Sequence, residues 1–186
     1  MRTEVVVSLA ALGASAWVPV NYHQRNFKLS LAATMDNGAA LGTGTWKIQL
    51  TDDDPNLSLP ITPTSITRAA AVATVVQPGH GLRTGDCVIV FGSGDPVNLD
   101  TQGSDVTVVD ANTYTYAVPN AGLLAALPTV RLITLRVLDH ATMTGLTVAT
   151  YGSLEDPVRA VRSRVTVAGA GNLRLVVTQA QGGTGG

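Results

Sequence analysis

The sequence has little charge, few aromatic residues and almost no cysteine. Aspartate, glutamate, lysine and arginine make up 13% of the 186 residues, roughly half the usual share in globular proteins. Aromatic residues make up only 4%, and the single cysteine, Cys87, cannot form a disulfide within the chain. The net charge of -1 excludes the basic excess expected of a nucleic-acid groove. We expect Cys87 to be a buried thiol.

These deficits also argue against membrane insertion and against catalysis. No apolar run reaches the roughly 18 residues that span a bilayer, so we expect a soluble chain. The three histidines and one cysteine lack the spacing of zinc ligands. Asp52, Asp53 and Asp54 could ligate calcium, but no calcium-binding loop pattern follows them. The sequence contains neither a nucleophile elbow nor a phosphate-binding loop. We therefore predict no catalytic, cofactor or metal site, and no enzyme.

Valine and threonine are abundant instead. The chain has 24 Val and 23 Thr, a quarter of its residues, against five Ile and two Lys. These β-branched side chains fit a pleated sheet, and apolar residues alternate with polar ones in many short segments. Two clear examples place Phe27, Leu29 and Leu31, then Trp46, Ile48 and Leu50, on buried faces. Residues 1–9 also alternate, and Glu4 lies where a signal peptide would be basic, so a strand is preferred there.

The last two segments predict a hairpin that closes the core. Val161, Ser163, Val165 and Val167 share one face, residues 168–172 form a turn, and Leu173, Leu175 and Val177 return on the same face. Earlier in the chain, residues 130–138 and 146–149 also have the patterns of strands. The overall prediction is an all-β protein with an antiparallel, jelly-roll-like β-sandwich.

A small β-module interrupts this sandwich. Residues 87–91, 105–109 and 114–118 predict strands, and the last two flank a four-residue turn at 110–113. We assign 62–128 to the inserted module, 1–61 with 129–180 to the sandwich, and 181–186 to a glycine-rich tail. The module has about 60 residues, a size at which an isolated domain is marginally stable.

Basic residues are mostly arginine and gather near the last strands. In the predicted hairpin, Arg162, Arg164 and Arg174 point away from the core, where they form either a solvated face or a contact between subunits. Arginine suits bidentate pairing with carboxylates. The candidate interface comprises these three residues and Arg159, with Asp52, Asp53 and Asp54 of another copy as partners; Glu155 and Asp156 are alternative carboxylates.

Two stretches resemble structural proteins of tailed bacteriophages. Residues 80–88, His-Gly-Leu-Arg-Thr-Gly-Asp-Cys-Val, with 106–116 resemble a small β-module found in such proteins. Residues 15–20, with a tryptophan and a proline, and 157–162, with a proline and two arginines, resemble small phage virion proteins. The resemblance covers about a third of the chain. It implies a capsid decoration, or cement, protein that binds the major capsid protein and other copies of itself, often as a trimer, in a virion assembled in the host cytoplasm.

Other functions stay open on the sequence alone. The chain could lie in the neck, the tail or the base of a fibre. It could also bind a host receptor or glycan through the inserted module, using Tyr114, Tyr116 and Asp95 or Asp100. A secreted hydrolase would require a signal peptide and a catalytic group that the sequence does not offer. No nucleic acid, membrane or small-molecule substrate is expected as a partner.

Overall fold

The computed structural model describes residues 2–8, 13–23, 27–35, 44–56, 59–95, 99–119 and 130–179. Within these ranges the chain is all-β, with fifteen strands and no helix, as the composition predicts. The strands are β1 Arg2–Ser8, β2 Gly13–Ala14, β3 Val18–Pro19, β4 Leu29–Met35, β5 Thr45–Thr51, β6 Ser65–Ala69, β7 Val72–Val76, β8 Cys87–Phe91, β9 Thr101–Asp110, β10 Thr113–Ala117, β11 Arg131–Leu135, β12 Leu138–Asp139, β13 Thr150–Leu154, β14 Ala160–Val167 and β15 Asn172–Gln179.

The chain divides into two compact units. One consists of Met1–Asp54 and Leu138–Gly186, and the other of Pro55–Val137. We call them the sandwich unit and the inserted unit. The inserted unit is longer than the predicted 62–128 because β11 pairs with β8 and not with a sandwich strand. The predicted tail, 181–186, lies outside the described residues.

The sandwich unit is an antiparallel β-sandwich of two sheets. One sheet has the order β1-β15-β4-β13, and the other has the order β12-β5-β14-β2, with β3 also pairing to β14. Alternate residues of β4 and β15 face those of β5 and β14, because strand side chains point to opposite faces with a period of two. The core between the sheets includes Phe27, Leu29, Leu31, Trp46, Ile48, Leu50, Val161, Val165, Leu173, Leu175 and Val177.

The last two strands do not form the predicted hairpin. β14 pairs with β5, β2 and β3, whereas β15 pairs with β1 and β4 in the other sheet. The apolar residues of β14 and β15 contact the same core from opposite sides. A hairpin and two facing strands therefore require the same alternation of apolar and polar residues. Val167 is 47% exposed, contrary to the prediction. The register of β14 shifts between Val165 and Val167, and such a bulge redirects the side chains that follow it.

Two other predicted strands are placed differently. The run 130–138 is divided between β11 of the inserted unit and β12 of the sandwich unit. Residues 146–149 make only an isolated bridge, from Leu146 to Trp46, and the strand itself begins at Thr150. Leu146 packs against the core, but Val148 is 58% exposed, so this alternation does not correspond to a strand with one buried face.

The inserted unit is a single curled sheet around its own core. Its order is β11-β8-β9-β10-β7-β6, and Ile61 and Leu132 exchange backbone hydrogen bonds of 2.7 and 2.9 Å beside β11. The predicted hairpin of β9 and β10 is present, and Cys87 is buried as expected. The core includes Ile66, Val75, Val88, Val90, Leu99, Val106, Tyr114, Tyr116, Val130 and Leu132.

A turn at Ala70 joins β6 and β7, within a segment that the sequence presents as one apolar run. Ala70 has a φ of 52°, in the left-handed region that costs alanine roughly 1 kcal/mol. We expect Ala70→Gly to stabilise the inserted unit by about 0.5 kcal/mol, because strain relief exceeds the entropy cost of glycine. The neighbouring Ala71→Gly, with no such strain, should destabilise it. Urea unfolding of both variants tests this, and equal effects would contradict it.

Candidate functional site

The candidate arginines lie on two different sheets. Arg162 and Arg164 are on β14, Arg159 immediately precedes that strand, and Arg174 is on β15. Because β14 and β15 lie in different sheets, Arg174 is not a neighbour of Arg162 and Arg164 on one strand pair. The four residues therefore do not form one arginine face.

Arg162 is fully buried within its own chain. Its side chain has 0% exposure, its Nε donates a hydrogen bond of 2.9 Å to Oε1 of Gln49, and its guanidinium lies 4.5 Å from the centre of the Trp17 ring. Gln49 is the register partner of Arg162 on β5. Trp17, between β2 and β3, covers this side of the sheet and keeps water from the pair. Arg162 is thus removed from the candidate interface, since a second copy cannot reach it.

The polar group around Arg162 extends across β5. Nε2 of Gln49 lies 3.4 Å from Oδ1 of Asp139, whose Oδ2 accepts a hydrogen bond of 2.8 Å from Nζ of Lys47. Lys47 is in turn the register partner of Arg164 on β14. We call Trp17, Lys47, Gln49, Asp139 and Arg162 the outer polar cluster. Its contacts join β5, β12 and β14, and the cluster stabilises this sheet.

Arg159 meets the acidic turn of its own chain. Its guanidinium lies 3.7 Å from Oδ2 of Asp54 and 4.0 Å from the centre of the Tyr22 ring. The adjacent Asp53 donates its backbone N–H to Oγ1 of Thr51, which fixes the turn at the end of β5. Arg159 and Asp54 therefore pair within one protomer, whereas the sequence suggested pairing between copies. Asp52 is exposed.

Arg174 belongs to a small charged group on the other sheet. Its guanidinium lies 3.1 Å from Oε1 of Glu4 on β1, and Arg2 lies 3.9 Å from the other oxygen of the same carboxylate. All three side chains are partly exposed. Exposed pairs of this kind contribute little to stability, roughly 0–1 kcal/mol each. This group remains accessible to a partner.

In the inserted unit, the phage-like motif at 80–88 forms a structured turn. Asp86, 4% exposed, accepts backbone hydrogen bonds of 2.8 Å from Arg83 and 3.0 Å from Val137. His80 accepts a hydrogen bond from the N–H of Leu82 at Nδ1, which leaves Nε2–H to donate to the Asp110 carbonyl at 2.9 Å. Asp86 and His80 thus hold the turn and the end of β9 in place. The side chain of His80 therefore has a structural role.

The residues suggested for glycan binding are committed to the same unit's core. The Tyr114 hydroxyl donates to Oε1 of Gln77 at 3.0 Å, and the Tyr116 hydroxyl donates to the Leu99 carbonyl at 2.7 Å. Burial raises the pKa of both phenols well above its ordinary value near 10. For Tyr116, Tyr114 and Asp100 raise the pKa further, whereas Arg68 lowers it. Neither tyrosine can stack on a sugar from the surface.

The two acidic residues proposed with them have structural partners as well. Asp95 accepts a hydrogen bond of 2.7 Å from Arg68, whose side chain is 7% exposed. Asp100 accepts the backbone N–H groups of Gly92 and Ser93 at 3.1 and 3.2 Å. These contacts stabilise the loop after β8. A host-surface site built from Tyr114, Tyr116, Asp95 and Asp100 is therefore not supported.

Trp17, Gln49 and Asp139 were not identified from the sequence as partners of the arginines. Alternation places Gln49 on the outer face of β5, but nothing in the sequence pairs that strand with β14. Across the described ranges, no group of three His, Cys, Asp or Glu residues could hold a metal ion. In the same ranges, no helix is long and apolar enough to cross a membrane.

Comparison with known proteins does not assign a family. No protein-family model matches the chain, and no curated protein matches it significantly.

Proposed function

We propose that the chain is a structural component of a tailed-bacteriophage virion and acts as a capsid decoration protein. The main supporting observation is that large apolar side chains are exposed in a chain that has few charged residues. Tyr151 is 75% exposed, Val109 62% and Leu59 87%. A surface with few charges and many exposed apolar groups favours association with other subunits. The phage-like stretches identified in the sequence agree with this role.

The mechanism is additive burial of surface. Each copy binds the major capsid protein across a joint between capsid subunits, and each contact stabilises the shell by removing apolar area from water. Specific interfaces bury about 1,600 Å² in total. Repetition over the whole head makes many modest interfaces effective together. The accessible charged group of Arg2, Glu4 and Arg174 can add specificity at the edge of such a contact.

The location in the particle tests the proposal. Heads and tails from purified virions of the phage that encodes the chain would be separated, and the chain would be quantified in each by mass spectrometry. We expect it in the heads, at a copy number similar to that of the major capsid protein. Its presence in only a few copies, in the neck, the tail or the fibre base, would replace the decoration role with the alternative virion role. Absence from both fractions would overturn a virion role.

A functional assay measures the stabilisation directly. Heads lacking the chain should release their DNA at a lower temperature than complete heads, because the joints lose buried surface. Adding the purified chain back should restore the original temperature. Heads that are equally stable with and without the chain would contradict a cement function even if the chain is bound to them.

A further inference from the structure

The edge strand β13 lacks the features that usually prevent pairing between sheets. Natural edge strands carry charges or prolines, or are very short. In the described part of the chain, the other edge strands contain a charged residue, as β1, β6, β11 and β12 do, or have only two residues, as β2 does. β13 has five residues and none is charged, and residues 141–154 contain no charged side chain. Among the described strands, it pairs only with β4.

The side chains of β13 alternate between the core and the outside. Leu154 packs on the core, and a Cβ at Gly152 would lie 2.5 Å from Sδ of Met143, so these positions face inward. Tyr151 and Ser153 therefore point to the outer face, where Tyr151 is 75% exposed. Their register partners on β4 are Ala32 and Ser30. This face is thus a shallow surface of small side chains with one protruding tyrosine.

From this arrangement we infer that β13 pairs antiparallel with β13 of a second copy, about a two-fold axis at Gly152. The strand is self-complementary in this register. Tyr151 lies opposite Ser153 of the second copy, a large side chain against a small one. Beyond the strand, Glu155 lies opposite Ala149, so acidic groups do not face each other. Glu155 is also paired with Lys28 at 3.4 Å.

The association is weak in the isolated protein, for two reasons. A five-residue strand pair with two tyrosines buries much less than the roughly 1,200 Å² at the lower end of stable interfaces. Nε2 of His140 also donates a hydrogen bond of 3.3 Å to the Ser153 carbonyl, so a second strand competes for this acceptor. Pairing becomes extensive where copies are held close together, since a high effective concentration favours a second contact. The inference does not depend on a phage function.

Analytical ultracentrifugation of the isolated chain tests the inference. We expect reversible, concentration-dependent dimers between about micromolar and about millimolar protein. Tyr151→Lys should weaken dimerisation by at least about tenfold, because it places like charges on both sides of the two-fold axis. Val109→Lys is the matched control, a change of an exposed apolar residue in the inserted unit, and should leave dimerisation unchanged. Monomers throughout, trimers, or equal effects of the two variants would overturn the inference.

Disulfide trapping tests the register separately. Tyr151→Cys and Ser153→Cys chains would be mixed and oxidised, and Cys87 should not compete because it is buried. We expect the mixed dimer to make up well over half of the disulfide dimers, the share that random pairing of equal amounts would give, since positions 151 and 153 face each other across the axis. Random proportions, or no disulfide, would exclude this register.

Discussion

Replacing Arg162 with alanine lowers the free energy of unfolding of the sandwich unit by about 3 kcal/mol. The change removes a hydrogen bond from a buried charged group, which contributes roughly 1.5–3 kcal/mol, and the stacking of the guanidinium on Trp17. It also leaves Oε1 of Gln49 without this donor in a buried position. Arg162→Lys should recover only part of the loss, because an ammonium cannot reproduce the planar contact with the indole.

Tryptophan fluorescence during urea unfolding measures this effect selectively. Both tryptophans of the chain, Trp17 and Trp46, belong to the sandwich unit. Arg159→Ala is the matched control: its side chain is 34% exposed, so the loss should stay below about 1 kcal/mol. An Arg162→Ala protein that is as stable as the wild type but fails to attach to particles would restore Arg162 to the interface.

The inserted unit loses stability as the pH rises above 10, with a slope that approaches about 2.7 kcal/mol per pH unit. The unfolded chain releases the phenolic protons of Tyr114 and Tyr116 near pH 10, whereas burial raises both pKa values in the folded unit. The folded state therefore keeps protons that the unfolded state has lost, and unfolding becomes more favourable as the pH rises. Each tyrosine contributes about 1.4 kcal/mol per pH unit until its folded-state pKa is reached.

Urea unfolding between about pH 9 and about pH 12, followed by tyrosinate absorbance, measures this slope. Tyr114→Phe should halve the slope and should cost about 1–2 kcal/mol at neutral pH, since Gln77 loses its hydroxyl donor. Tyr151→Phe, which changes an exposed tyrosine of the sandwich unit, is the control and should leave the slope unchanged. If Tyr114→Phe and wild-type chains show the same slope, the proposed cause is wrong.

Local patterns predicted much of the secondary structure. Alternation identified the buried residues of β4 and β5, and turn residues identified the β9–β10 hairpin, because both signals depend on neighbours within a few positions. The turn at Ala70 was not predicted, since alanine rarely adopts a left-handed conformation. The boundary of the inserted unit was also misplaced. β11 and β12 lie in one apolar run, and only their pairing with β8 and β5 separates them.

For the candidate interface too, local patterns predicted the position of a residue in its strand but not the residues that contact its side chain. The alternation correctly placed Arg162 and Arg174 on the faces of their strands that point away from the core. A side chain on that face can still be buried by another segment, as Arg162 is. Trp17 covers Arg162 from a segment about 145 positions earlier in the chain, and Glu4 pairs with Arg174 across neighbouring strands. Such contacts depend on strand order, and a single sequence contains no direct signal for strand order.

By itself, the sequence determined the all-β class, the low surface charge, the alternating core positions and the presence of an inserted module. These properties follow from composition and from the two-residue period of a strand. Only the tertiary structure decided that β14 and β15 face each other across the core, that Arg162 is buried, and that β13 is an uncharged edge. The physical reason is that pairing joins residues far apart in the chain, and several pairings bury the same apolar faces equally well.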